Sequence, residues 1–156
     1  MEDLLKDKEI AVLFILLRAG LWKKEPEDLS LFPLSGESWQ KVFDMARQQT
    51  VAGIIYDGLC RLPDGLMPVE KDLPCWVAEI YAIETRNRRM NMVLSELYSL
   101  FGSYGLSPVL LKGQGVAFLY EHPLLRACGD IDFYFPASEA REYAMAVIRK
   151  HIRAAD

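Results

Sequence analysis

Cysteine, positive charge and long apolar runs are all in short supply in this 156-residue chain. Its three cysteines, Cys60, Cys75 and Cys128, are odd in number and lack CxxC spacing. They are expected to be reduced, buried thiols of a cytoplasmic protein. Cys128 lies two residues from Asp130, but nothing beside it resembles a general base, so no catalytic role is assigned to it. Lys and Arg number 18 against 22 Asp and Glu, giving a net charge of −4 and a pI near 5.3. That balance argues against a nucleic-acid partner, which normally meets a basic footprint. The longest apolar run near the start, Ile10 to Leu17, is too short to span a bilayer. Glu2, Asp3, Asp7 and Glu9 stand where a signal peptide would carry its basic region, and no small-residue cleavage site follows. The run is instead expected to belong to a buried helix from Asp3 to Ala19, stopped by Gly20. No membrane partner is expected.

What is present is mostly helical. Half of the residues are hydrophobic, enough for one core, or for a small helical part joined to a fragment of another unit. Leu21 to Leu34 is expected to be a loop. Ser35 or Gly36 opens a helix over Glu37 to Gln48, with Trp39, Val42, Phe43 and Ala46 on one face. Thr50 is expected to cap the next helix, Val51 to Arg61. Pro63-Asp64-Gly65 is a turn signal. Pro74 suits the first turn of the longest helix, about Cys75 to Phe101, whose stripe comprises Trp76, Ile80, Ile83, Met90, Val93, Leu94, Leu97 and Phe101. Arg86-Asn87-Arg88-Arg89 interrupts that stripe. The plainer reading is a solvated face partnered by Glu79 and Glu84; the sharper one aims an arginine at a phosphate. Gly102 and Gly105 end the helix.

The stretch Pro108 to Pro136, PVLLKGQGVAFLYEHPLLRACGDIDFYFP, organises the remainder. It reads as a strand over Val109 to Lys112, a glycine turn, a short helix over Val116 to Tyr120, a loop, and a second strand over Ile131 to Phe135. Asp130 and Asp132, two apart on an extended segment, point to one face. Like charges on an otherwise apolar strand call for a shared cation or strong donor, and hard oxygen ligands of this kind suit Mg²⁺. Gly113 and Gly115 let backbone N–H groups and a helix start approach a phosphate. Lys112 is either a phosphate ligand or a solvated strand-end lysine. Arg126 either neutralises a phosphate or pairs with an acid. Gln114 and Gly115 serve the turn, Tyr120 is a packing wedge, and His122 is expected to be solvated and not a metal ligand. After Pro136, Ala137-Ser138 offers an N-cap for a helix over Glu139 to Ile148, with Tyr143, Ala144, Val147 and Ile148 inward.

The sequence LLKG, the following G-x-x-x-x-x-L-Y, and R-x-x-G-D-I-D-F-Y-F-P resemble the nucleotidyltransferase superfamily that includes DNA polymerase β. The resemblance is closer to a nucleotidyltransferase-like family with a KG…Y…R…GDID signature. It implies that Gly113 is the glycine that holds a triphosphate, and that Asp130 and Asp132 bind metal, Mg²⁺ or Mn²⁺. The superfamily's Gly-Ser pair reads Lys112-Gly113-Gln114 here, so its phosphate-holding serine has no counterpart. Its third carboxylate has no evident home either; Glu121, Glu139 and Glu142 are merely the nearby candidates. The families with this motif continue into another strand and further helices, whereas twenty residues follow Pro136. The chain is therefore expected to be a fragment, or a form truncated after the strand-helix-strand half.

These readings give an α+β expectation: a helical region over 1–105, then a partial nucleotidyltransferase core over 106–156, comprising strand, helix, strand and helix. Two strands make a marginal sheet alone, so the N-terminal helices or a second copy of the chain are expected to cover it. The expected catalytic and metal-binding residues are Asp130 and Asp132. The expected substrate-binding residues are Lys112, Gly113, Gln114, Gly115 and Arg126. The expected partner is a nucleoside triphosphate, with an unspecified acceptor. A catalytically incomplete nucleotide-binding or protein-interaction module is the competing reading.

Overall fold

The computed structural model describes residues 7–155 except 70, and side chains as far as His151. Among the described residues six α-helices and two short strands follow one another: α1 Lys8–Trp22, α2 Gly36–Gln48, α3 Ala52–Leu59, α4 Leu73–Ser103, β1 Val109–Leu110, α5 Gln114–Ala117, β2 Phe133–Tyr134 and α6 Ser138–Ala155. The architecture is α+β, mainly helical, with one antiparallel two-stranded sheet.

The first core joins α1, α2, α3 and the front half of α4. Val12, Leu16, Trp39, Val42, Ile55, Leu59, Trp76 and Ile83 fill it. Helix α1 begins at an Asp7 N-cap, whose carboxylate accepts from Glu9 N–H. The part of the expected helix before Asp7 lies outside the described residues. Contrary to expectation, α1 runs through Gly20 to Trp22, because Gly20 is a packing residue. A Cβ there would strike the Ile54 carbonyl, and one at Gly58 would strike the Leu16 carbonyl. Helices α1 and α3 therefore cross backbone to backbone. Ser35 caps α2, accepting from Ser38 N–H at 3.1 Å.

Thr50 does not cap α3. It adopts φ 56°, and its N–H bonds Arg47 O while Val51 N–H bonds Ala46 O. That pair of bonds closes α2 as a Schellman motif, with Thr50 in the left-handed position. Helix α3 starts at Ala52, with Val51 at its N-cap and no side-chain cap.

Helix α4 bridges two cores. Its buried positions Trp76, Ile80, Ile83, Asn87 and Phe101 repeat at four- and three-residue spacing, so Asn87 occupies a core position within the arginine tract. Val93, in contrast, is exposed. Near the C-terminal end of α4, Phe101 and Leu106 join Ala144 of α6, with Leu97, Phe133, Phe135, Ala140 and Ile148 packed around them. Phe133 and Phe135 meet Phe101 edge-on at 5.5 and 5.4 Å. Helix α6 buries Ala144 and Val147, whereas Tyr143 is exposed and touches Tyr104 instead of turning inward. It also continues beyond Ile148 to Ala155.

Both strands are shorter than expected, pairing only Val109 with Tyr134 and Leu110 with Phe133. One further bond, Leu111 N–H to Asp132 O at 3.0 Å, extends the ladder towards the acids. Helix α5 is a single turn. Among the described residues no helix is long and apolar enough to cross a membrane.

The loop between α5 and β2 is anchored to the N-terminal helices. Leu125 enters the first core, and Gly53 lets α3 press directly on the Leu125 carbonyl. His122 Nδ1 pairs with Asp57 at 2.9 Å, and Arg61 pairs with Glu121 at 2.6 Å. His122 is thus a partnered residue, not simply a solvated one.

Candidate functional site

The glycine turn fixes the site's floor. Gly113 has φ 66° and ψ −119°, and Gly115 N–H reaches back to Lys112 O at 3.3 Å. Those angles place Gly113 at the first central position of a type II′ turn, a conformation that glycine adopts without steric cost. A Cβ on Gly113 would also lie 3.0 Å from the Asp130 carbonyl. The glycine turn and the acid-bearing segment are in direct contact.

The acids lie just before β2, and side-chain alternation sorts that segment. Phe133 and Phe135 face the second core, so Asp130, Asp132 and Tyr134 share the opposite face. The segment therefore shows the polar-apolar alternation that its run of aromatics conceals in the sequence. One cation reaches both carboxylates: Lys112 Nζ lies 3.3 Å from Asp130 Oδ2 and 3.0 Å from Asp132 Oδ2. Asp132, and after it Asp130, hold the Lys112 ammonium proton above its ordinary pKa. Asp132 Oδ2 is shielded from solvent, and the Lys112 ammonium is the cation beside it among the described residues.

A solvent-shielded carboxylate oxygen is one that a cation, ammonium or metal, must neutralise. With Asp130 it makes a hard, all-oxygen pair spanned by a single cation, so these residues fit Mg²⁺ or Mn²⁺. Among the described residues no third His, Cys, Asp or Glu joins them. Glu121 is engaged by Arg61 instead.

The remaining expected site residues divide by direction. Arg126 half-buries its guanidinium, donating to Gly113 O at 3.2 Å and to Cys128 Sγ at 3.0 Å. It meets no carboxylate among the described residues and braces the motif glycine instead. Gln114 turns inward, is 5% exposed and donates to Asn87 Oδ1 at 3.0 Å. Its side chain thus supports the turn from beneath. Gly115 packs on Leu110, whose side chain would have to shift by a few tenths of an ångström to admit a Cβ. Cys128 is buried and Cys75 partly so, but Cys60 is exposed, against the expectation of three buried thiols; all three are free.

Asn87 is the contributor that sequence reasoning passed over. It is 1% exposed and donates to Leu124 O at 2.6 Å and Arg126 O at 2.7 Å while accepting from Gln114. Its position in the four-three repeat was the available signal, obscured by the three arginines around it. Arg86 lines a cleft of about 460 Å³ with Arg47, Glu79 and Ala127; Arg88 lines another of about 510 Å³ with Met92, Phe118 and, from the glycine turn and α5, Gln114 and Ala117, and pairs with Glu84 at 3.5 Å. Glu79 pairs with Arg47.

No curated protein and no solved structure matches the chain. Residues 35–151, well over half of its length, match the family described as uncharacterised nucleotidyltransferase. The match takes in helices α2 to α4 as well as the glycine turn and the acids, and the chain belongs to that uncharacterised nucleotidyltransferase family.

Proposed function

We propose that this chain transfers a nucleotidyl group from a nucleoside triphosphate to a hydroxyl-bearing acceptor, in a reaction that depends on Mg²⁺ or Mn²⁺. One observation carries the reading: Asp130 and Asp132 present oxygens to a single cationic centre directly beside the Gly113 turn. A divalent cation bound there supplies charge stabilisation to the entering and leaving oxygens. Asp130 and Asp132 would hold it. The Gly113 turn, with Lys112, holds the β- and γ-phosphates, and Arg126 keeps that turn in place from below. With the triphosphate so fixed, the acceptor oxygen bonds to the α-phosphorus in line with the bridging oxygen that leaves as pyrophosphate, and the acceptor proton passes to solvent or a base. Residues 106–156 supply these groups, and residues 1–105 provide their helical support. The free thiols favour a cytoplasmic location.

A second reading rests on the absence of a third metal-ligating side chain among the described residues. Under it the chain binds nucleotide, or a partner protein, without turnover. Calorimetric titration with ATP and the other nucleoside triphosphates, with Mg²⁺ or Mn²⁺, tests both. Metal-dependent binding that disappears in Asp130→Asn/Asp132→Asn supports the nucleotide site, and product formation with a screened acceptor then favours the enzyme. Absence of binding by the unmodified chain would remove the nucleotide site altogether.

A further inference from the structure

Lys112 is the one basic side chain that touches both acids among the described residues, and its location is that of the cation the acids would share. We propose that Lys112 is a built-in counter-ion with two positions: on the acid pair in the metal-free chain, and on the nucleotide's phosphates once the pair holds a divalent cation. The proposal rests on the reading of Asp130 and Asp132 as metal ligands.

Three observations support it. The ammonium faces one oxygen of each acid, Asp130 Oδ2 and Asp132 Oδ2, the two carboxylates that would hold the metal. A metal held by the same two carboxylates would crowd the ammonium into one small volume with a second cation, where like charges repel. The two occupants exclude each other. Secondly, the backbone around the lysine is fixed while its side chain is not. Leu111 N–H is bonded to Asp132 O, Lys112 O accepts from Gly115 N–H, and Gly113 is buried. The Lys112 side chain is 58% exposed on a flexible four-carbon stem. Thirdly, Lys112 is the first residue of the type II′ turn, so an ammonium leaving the acids remains beside the turn assigned to the triphosphate.

The exchange gives one residue opposite effects on two ligands. Metal alone must displace the ammonium; metal with nucleotide gives it a new anionic partner. Lys112→Met should therefore bind free Mn²⁺ about two- to fivefold more tightly than the unmodified chain, the range an exposed ion pair allows. The same variant should bind Mg²⁺–ATP roughly tenfold more weakly, because a charge-assisted phosphate contact is lost. Lys112→Arg, which keeps the charge, should show no gain in Mn²⁺ affinity. Free Mn²⁺ followed by electron paramagnetic resonance, and Mg²⁺–ATP by calorimetry, read both effects without any turnover. A gain for Mn²⁺ with a loss for Mg²⁺–ATP supports the exchange, and misfolding would not yield that pair of signs. Equal or weaker Mn²⁺ binding by Lys112→Met would overturn the proposal while leaving the metal site standing. No Mn²⁺ binding by either protein would overturn it together with the metal assignment of the acids.

Discussion

The Gln114 amide donates to Asn87 Oδ1 at 3.0 Å, and both side chains are buried. Asn87 also turns its two amide hydrogens on the carbonyls of Leu124 and Arg126. The long helix α4 thereby holds the glycine turn and the loop leading to the acids from one internal point. A buried amide with its donors satisfied fixes geometry, because any displacement strands polar groups away from water.

Replacing Asn87 by Ala should strand the Gln114 amide and two carbonyls. The expected loss is about 2–3 kcal/mol of unfolding free energy, read from urea denaturation. Asn87→Asp should cost more than Asn87→Ala, since a carboxylate would face two carbonyl oxygens. Equal stability of all three proteins would show that the amide network contributes nothing net.

How much of this was legible in the sequence depended on the kind of signal. Helix α2 and its Ser35 cap follow from side-chain periodicity and one hydroxyl, both local properties. The two strands and their acids follow from period-two geometry, although pairing is confined to two residues on each side. Gly20 misled because the sequence cannot distinguish a helix stop from a close helix crossing; the carbonyl of Ile54, from a distant segment, decides it. Thr50 misled because its role depends on left-handed backbone, not on its hydroxyl. Asn87 was hidden because its three partners come from residues 114–126, and a long-range polar contact leaves no periodic trace.

The helix crossing predicts opposite outcomes for two glycine-to-alanine changes. Gly58→Ala drives a methyl group into the Leu16 backbone, which has no flexible end to yield. Overpacking of this kind costs about 1–3 kcal/mol or more. Gly102→Ala meets nothing within 4 Å, on an exposed turn of α4. It should stabilise by about 0.4–1 kcal/mol through the unfolded chain. Thermal melts of the two variants should move in opposite directions.

Acid should unmask a contact between the starts of α1 and α2. Ser38 Oγ–H donates to Glu9 Oε1 at 2.7 Å and, as the main cause, holds the Glu9 carboxyl below its ordinary value; Lys41 at 4.0 Å contributes in the same direction. A depressed folded-state pKa stabilises the fold above the unfolded value of about 4.5, and that contribution fades as pH falls through the lower folded value. Glu9→Gln should therefore be less stable than the unmodified chain at neutral pH and match it well below that range. A stability gap that persists unchanged into acid would refute the assignment.

The sharpest local prediction concerns Gly113. Its φ of 66° with ψ −119° is strained for any residue with a Cβ, and a methyl group there would also press on the Asp130 carbonyl at 3.0 Å. Gly113→Ala should cost about 1–3 kcal/mol. The damage should be local, because the first core of α1 to α4 lies on other residues. The alanine either forces the turn open or pushes Asp130 aside, and both separate Lys112 from the acid pair. Calorimetry should then show nucleotide binding lost while helical circular dichroism is kept. Gly65→Ala, which meets nothing within 4 Å, serves as the matched control and should leave binding unchanged. Unaltered nucleotide affinity in Gly113→Ala would detach the glycine turn from phosphate binding, whatever the outcome of the metal titration.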